Sequence, residues 1–192
     1  MNWKEFLNNV SITLLESEDL NHEYKETPEK WLGFEPAPET EIIKTEQRLN
    51  ITLPPSYKEF LRTSNGFKQL SCVVWNIFPA NSIKWLREFD NHFVDVYKDL
   101  HETFNPSDEE YFVYGDEQET TNFRSKYLTK CLAISGWGDS SILLLNPEVK
   151  FGEEWEAWMF ANWYPVPARY KSFEELMVEE YSTYVEILNE RE

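Results

Sequence analysis

Histidines, serines and paired carboxylates are the side chains of this sequence that could carry catalysis. The three histidines, His22, His92 and His101, lie in polar or helical surroundings, and none pairs with a cysteine or carboxylate at the spacing of a metal site. No serine lies in a G-x-S-x-G elbow, and residues 136–139 lack the later lysine and hydroxyl residue of a phosphate-binding loop. We therefore predict that the protein is not an enzyme and that it holds no metal and no cofactor.

Acidic residues interleaved with aromatic residues form the pattern that points to binding. One such segment covers residues 108–119, and a second covers residues 153–158. If the second segment is a strand, successive side chains point to opposite faces, so Trp155 would lie on one face and Glu156 and Trp158 on the other. An exposed aromatic side chain ringed by carboxylates is typical of a hot spot that anchors a basic partner protein.

Two interpretations of this pattern stay open. In the first, the aromatic side chains are exposed and bind a partner together with the neighbouring acids. In the second, the aromatic side chains face the core of a sheet and only the acids face water. Under the first interpretation, the predicted partner-binding residues are Asp108, Glu109, Glu110, Tyr111, Asp116, Glu117, Glu153, Glu154, Trp155, Glu156 and Trp158.

Residues 31–66 are predicted to fold as two short helices joined by a proline-containing bend. Pro38 and Pro55 suit the first turn of a helix, where a missing N–H costs nothing. Asn50 suits a left-handed helix stop, and residues 65–66 would end the second helix because asparagine and glycine tolerate positive φ. Apolar residues at helical spacing give each of the two helices one buried face.

The same stretch resembles the SUKH superfamily, which is named partly for a fungal regulator of cell-wall synthesis and includes many bacterial immunity proteins of polymorphic toxin systems. Residues 136–147 and 172–181 carry weaker similarities in the same order and spacing, so the resemblance extends to the C-terminus. The motif residues are mostly helix-packing and capping types, and they indicate a fold rather than an activity. They are Trp31, Gly33, Leu53, Pro54, Tyr57, Phe60, Leu61, Asn65 and Gly66.

The resemblance implies an immunity protein that neutralises a cognate toxin by tight, stoichiometric association. Many toxins of such systems are nucleases with cationic active-site clefts, which would suit an acidic partner. The alternative function is an intracellular interaction or scaffold module without a toxin partner, as in the fungal members. A toxin-like gene directly upstream would distinguish the two functions.

Composition narrows the range of partners. The 192 residues carry a formal net charge of −17, which argues against nucleic-acid phosphate as a partner and favours a basic protein surface. The chain start lacks the features of a secretion signal, and no apolar run approaches the roughly twenty residues of a membrane span. We therefore expect a cytoplasmic protein with no membrane partner, present as a monomer or a weak homodimer. Cys72 and Cys131 are predicted to be reduced core residues.

The remaining elements surround the motif on both sides of the chain. An amphipathic helix begins at Trp3, and an acidic connector follows it to residue 26, so we divide the chain into residues 1–26 and a SUKH-like domain at residues 27–192. Helices flank strands that cluster in the middle, which predicts an α+β fold with a mostly antiparallel central sheet. Helices are predicted at residues 3–14, 93–104 and 173–188, and strands at residues 70–75, 111–115, 127–135, 141–146, 155–161 and 163–166.

Overall fold

The protein structure, a computed structural model, describes residues 1–26, 30–98, 105–119, 122–161 and 166–191. Helices flank an antiparallel sheet, which confirms the predicted α+β class. The helices are α1 (Trp3–Glu16), α2 (Glu39–Leu49), α3 (Pro55–Thr63), α4 (Leu86–Phe89), α5 (Asn91–Lys98), α6 (Asp108–Tyr111) and α7 (Phe173–Glu190). The strands are β1 (Phe67–Gln69), β2 (Trp75–Ile77), β3 (Lys84–Trp85), β4 (Leu132–Ala133), β5 (Ser141–Phe151), β6 (Glu154–Ala161) and β7 (Ala168–Tyr170).

Local sequence signals set the ends of the longer helices. Asn50 follows α2 in the left-handed conformation with φ of 54°, and Pro55 occupies the first turn of α3, both as predicted. At α7, the Ser172 hydroxyl accepts the N–H of Glu175, while the Glu175 carboxylate accepts the N–H of Lys171. The capping serine is therefore in place, but the carboxylate reaches one residue further back than in a reciprocal capping box.

The main sheet contains five strands in the order β3-β4-β5-β6-β7, and every neighbouring pair is antiparallel. The pairing of β5 with β6 shifts register between Asn146 and Lys150, where Pro147 lies. Because proline has no N–H to offer a neighbouring strand, a bulge is the way a strand passes through it. The predicted end of this strand at Pro147 is therefore wrong, since β5 continues to Phe151.

Other strand predictions are also wrong. Residues 70–74 form an irregular bend between β1 and β2, which make a separate two-stranded sheet. Residues 108–111 form the short helix α6 where a strand was expected at 111–115. Residues 125–130 form a 3₁₀ helix before the two-residue strand β4. The predictions for residues 99–104 and 163–165 lie outside the described residues.

Both faces of β6 are covered, and this feature determines the site described below. Trp155 and Met159 pack into a large apolar core that includes residues from α1, α2, α3 and α7. Trp158 and Phe160 face the opposite way, into a smaller core that includes residues from α4 and α5. The predicted alternation of side chains along this strand is therefore present, but neither face meets water.

The N-terminal helix packs in the same core as the motif residues. The Trp3 ring stacks on that of Phe173 with centroids 5.5 Å apart, and the Ser11 hydroxyl accepts the backbone N–H of Leu32 at 3.1 Å. Leu7, Val10 and Leu14 belong to the large core as well. The boundary proposed at residue 26 stays a prediction, and α1 contributes to the packing of the domain that follows it.

The motif residues of the sequence lie at tight packing positions. Leu53, Tyr57, Phe60 and Leu61 are buried, and the Tyr57 ring meets Phe173 at 4.8 Å. Gly33 leaves no room for a side chain, because a Cβ atom there would approach Ser64 Oγ to 2.4 Å. These contacts join α3 and the residues before α2 to the C-terminal helix.

Candidate functional site

The structure divides the predicted partner-binding residues into an exposed and a buried group. Six carboxylate residues are exposed, namely Asp108, Glu109, Glu110, Asp116, Glu117 and Glu153. Four residues have at most 3% of their surface exposed, namely Tyr111, Trp155, Glu156 and Trp158, and Glu154 is half-buried. The expected exposure of those four is wrong. Trp155, Glu156 and Trp158 lie on β6, which has a strand on each side and a packed layer on each face. Tyr111, in α6, is buried where its hydroxyl donates to Glu156.

Glu156 is the centre of a buried hydrogen-bond network. Its Oε2 accepts from the Tyr111 hydroxyl, the Asn146 amide and the Trp158 indole N–H, each at 2.8 Å. Its Oε1 accepts from the Tyr114 hydroxyl at 2.6 Å and pairs with Arg169 Nη1 at 3.4 Å. A buried carboxylate is tolerated when donors and a counter-charge replace its water, and Glu156 has both.

Arg169 extends this network to the backbone of the neighbouring segment. Its guanidinium lies between two aromatic rings, 4.2 Å from the Tyr111 centroid and 5.0 Å from that of Tyr114. The same group donates to the carbonyl oxygens of Tyr111 and Val113. Burial raises the pKa of both tyrosine hydroxyls well above the ordinary value, and the nearby Glu156 carboxylate raises it further, so both remain protonated donors.

The network fixes the position of residues 108–119, which we call the acidic segment. The segment contains six acidic residues and no lysine or arginine. It opens with a capping box, in which Ser107 Oγ accepts the Glu110 N–H while the Glu110 carboxylate accepts the Ser107 N–H at 2.8 Å. Those hydrogen bonds hold the pKa of Glu110 below its ordinary value, so this carboxylate is charged at neutral pH.

An exposed aromatic side chain lies within this acidic segment. Phe112 follows α6 directly and has 45% of its surface exposed, while its neighbour Tyr111 is fully buried. Nearby, Arg124 donates to the Pro106 carbonyl at 2.7 Å and to Asp108 Oδ1 at 2.6 Å. Phe112 was absent from the predicted binding residues. The Ser107-x-x-Glu110 spacing is the signal that could have indicated a helical turn followed by an exposed residue.

Residues of the second predicted cluster make structural contacts. Glu154 accepts the Ser56 backbone N–H at 2.9 Å and the Ser56 hydroxyl at 2.6 Å, and so caps the N-terminus of α3. This helix has no cap of its own, because Pro54 stands at the capping position. Only Glu153, in the turn between β5 and β6, is left exposed in this cluster.

No group of three or more His, Cys, Asp or Glu residues within the described ranges could hold a metal ion. Cys72 and Cys131 are both free thiols, and burial raises the pKa of each above its ordinary value. His101 lies outside the described residues. Within the part of the chain that the structure describes, no helix combines the length and the apolar character needed to cross a membrane.

Comparison with known protein families gives one match. The sequence model of the SMI1/KNR4 family (SUKH-1) matches residues 36–179, which is more than half of the chain. The matched range includes α2, α3, the strands β1 to β7 and the acidic segment. No curated protein sequence matches the chain.

Proposed function

The chain belongs to the SMI1/KNR4 family (SUKH-1), and from this premise we propose that it is an immunity protein. It would bind a cognate toxin stoichiometrically, cover the toxin's basic active surface and carry out no reaction itself. The family includes immunity proteins, and this supports the class of function. The toxin class that fits a net charge of −17 is one with a cationic cleft, such as a nuclease.

One observation carries the choice of surface: the acidic segment contains an exposed phenylalanine, and buried hydrogen bonds hold the segment in place. Hot spots at protein interfaces are commonly aromatic, and they bind best where the surface is already ordered. Phe112 supplies the apolar contact, while the exposed Glu109, Asp116 and Glu117 of the same segment supply negative charge. The Glu156 network supports the immobility that such a surface needs.

Growth rescue tests the immunity function directly. If a toxin-like protein is encoded directly upstream of this gene, that protein is produced in a bacterial host with and without the chain, and growth is recorded. Rescue together with a one-to-one complex in light scattering is the expected result. A toxin that still kills in the presence of folded chain would contradict the proposal and favour the interaction-module alternative.

A matched pair of charge reversals tests the surface. The first variant combines Glu109→Lys, Asp116→Lys and Glu117→Lys, all exposed and none in a hydrogen bond described above. The control combines Glu18→Lys, Glu35→Lys and Glu186→Lys, which are exposed elsewhere and change the net charge equally. We expect the first variant to lose affinity at every salt concentration, because it removes contacts.

The control variant should lose mainly association rate, and only at low salt. Screening shortens electrostatic attraction to about 8 Å near physiological ionic strength, so remote charges then cease to matter. Dissociation of the wild-type complex should depend on salt much less than association does. Equal losses of affinity in both variants would show that the acidic segment is not the contact surface.

A further inference from the structure

Among the described residues, β7 is the last strand of the main sheet, and side chains bind several of the backbone groups at its outer edge. Arg169 N–H donates to Gln118 Oε1 at 3.0 Å, and Gln118 Nε2 donates to the Arg169 carbonyl at 2.9 Å. The outward N–H of Lys171 donates to Glu175 Oε2 at 2.7 Å, and Pro167 has no N–H. Each outward N–H group that a further strand would use is therefore filled or missing, and the Arg169 carbonyl is filled as well.

The Gln118 amide imitates one residue of a sixth strand. In an antiparallel pair, two opposite residues exchange one N–H···O bond in each direction. The primary amide of Gln118 makes the same two bonds with Arg169. An incoming peptide group could replace this amide without a net loss of hydrogen bonds, because it offers the same donor and acceptor.

A cleft of about 420 Å³ lies beside this edge. It runs between the turn at residues 115–118, the strand β7 and the exposed side of α7. Asp116, Glu175 and Glu179 line it and give it negative charge, and Thr183 adds a hydroxyl. Among the described residues, Asp116 and Glu179 are in no salt bridge and accept no side-chain hydrogen bond from the protein.

We propose that the edge of β7 is a docking strand for an extended, positively charged segment of the partner protein, with Gln118 as the latch that this segment displaces. The segment would add to the sheet through its backbone and place a lysine or arginine between the carboxylates of the cleft. A second copy of this chain is the poorer occupant, because two molecules of charge −17 repel each other. The inference rests on the proposed function only for the origin of the segment.

A short peptide tests the edge without the toxin. The probe is an acetylated, amidated heptapeptide that alternates lysine with threonine and valine. Its control has the same sequence and charge but carries N-methyl groups on the amides that would pair with Arg169 and Lys171. We expect the probe, and not the control, to shift the NMR signals of the Arg169 and Lys171 backbone amides and the Gln118 side-chain amide in a saturable manner.

Variants of the full chain sharpen this result. Gln118→Ala should bind the probe about fivefold more tightly, because no competing side chain has to leave. The double variant Glu175→Gln with Glu179→Gln should bind the probe roughly threefold more weakly, because it removes two negative charges from the cleft. The change at residue 175 keeps an oxygen that can accept the N–H of Lys171. Thermal unfolding of each variant confirms that it is folded, and the comparison of the two peptides on the wild-type chain requires no variant.

Three outcomes would overturn the inference. Equal binding of the probe and its N-methylated control would reduce the site to simple charge attraction. Dimerisation of the Gln118→Ala variant in size-exclusion chromatography would show that the Gln118 side chain prevents pairing of β7 with a second copy of the chain. If the NMR signal of the Arg169 backbone amide does not shift at probe concentrations up to millimolar, the edge of β7 is not a docking site. Failure of this inference does not carry over to the proposed function. If the probe does not bind but the charge reversals at Glu109, Asp116 and Glu117 abolish toxin binding, the docking strand is excluded and the proposed function stands.

Discussion

Residues 108–119 and residues 153–158 both combine acidic residues with aromatic ones, and the fold places them differently. In the acidic segment, the carboxylates face solvent while Tyr111 is buried. In the second segment, Glu156 is fully buried and only Glu153 is exposed. The difference arises from neighbours: β6 lies between two strands, whereas the acidic segment lies over the sheet and contacts it through one side.

The two segments are also joined to each other. Tyr111 and Tyr114, from the acidic segment, donate to the carboxylate of Glu156 in the second. The buried Glu156 carboxylate thus holds in place the acidic segment, which carries the exposed carboxylates. Variants that separate the two roles test this comparison.

The largest effect is expected for Glu156→Gln. The change leaves Arg169 buried without its counter-charge and places an amide N–H₂ among donors, so the free energy of unfolding should fall by about 3–5 kcal/mol. Urea unfolding measures this loss. Glu153→Gln, in the adjacent turn, is the matched control and should change stability by less than about 0.5 kcal/mol. Similar values for the two variants would refute the distinction between buried and exposed carboxylates.

Glu180 is a buried carboxylate with fewer hydrogen-bond donors than Glu156, and it should make the stability of the fold depend on pH. Burial raises its pKa from 4.5 to about 7, opposed by the hydrogen bond from Tyr170. The folded state therefore holds a proton that the unfolded chain releases. The protonated Glu180 therefore stabilises the folded state fully below pH 4.5, and this stabilisation is lost as the pH rises through 7. The total loss in the free energy of unfolding is about 3 kcal/mol.

Glu180→Gln should remove this part of the pH dependence. Denaturant unfolding at several pH values between 4 and 8 measures the free energy for both proteins, and the difference between them should grow with pH in favour of the variant. A constant difference over that range would contradict the raised pKa of Glu180.

Phe112→Ala should affect binding and leave stability nearly unchanged. An aromatic anchor at the centre of an interface contributes about 2 kcal/mol or more, so toxin affinity should fall by roughly thirtyfold. Ile43→Ala is the matched control, since Ile43 is 43% exposed and Phe112 is 45% exposed. Calorimetric titration with the toxin measures both variants. Unchanged affinity for Phe112→Ala would leave only charge as the basis of recognition at the acidic segment.

The smallest effect is expected for Glu154→Gln. This side chain caps α3 through Ser56, and a neutral amide keeps one acceptor while losing the favourable charge at the helix N-terminus. The free energy of unfolding should fall by about 1 kcal/mol, with toxin affinity unchanged. A loss of affinity in a variant that is as stable as the wild type would mean that the second segment does contact the partner.

Much of the fold follows from local sequence signals. The spacing of apolar residues and the capping residues locate α1, α2, α3 and α7, because these helices are defined by neighbours three and four positions away. The apolar runs also locate β5 and β6. The strand predicted at residues 111–115 is wrong because the capping box at Ser107 favours a helical turn over the β-rich composition that follows.

The sequence by itself determined the helices α1, α2, α3 and α7, the alternation along β6 and the large negative charge, since each depends on residues close together or on their sum. Only the tertiary structure decided which carboxylates face solvent. Glu156 meets Tyr111 from 45 positions away and Arg169 from 13 positions away, and no local pattern specifies such pairings. The edge of β7 is a similar case, because Gln118 reaches Arg169 across 51 positions. Burial is set by what covers a strand, and in this chain the covering residues come from distant parts of the sequence.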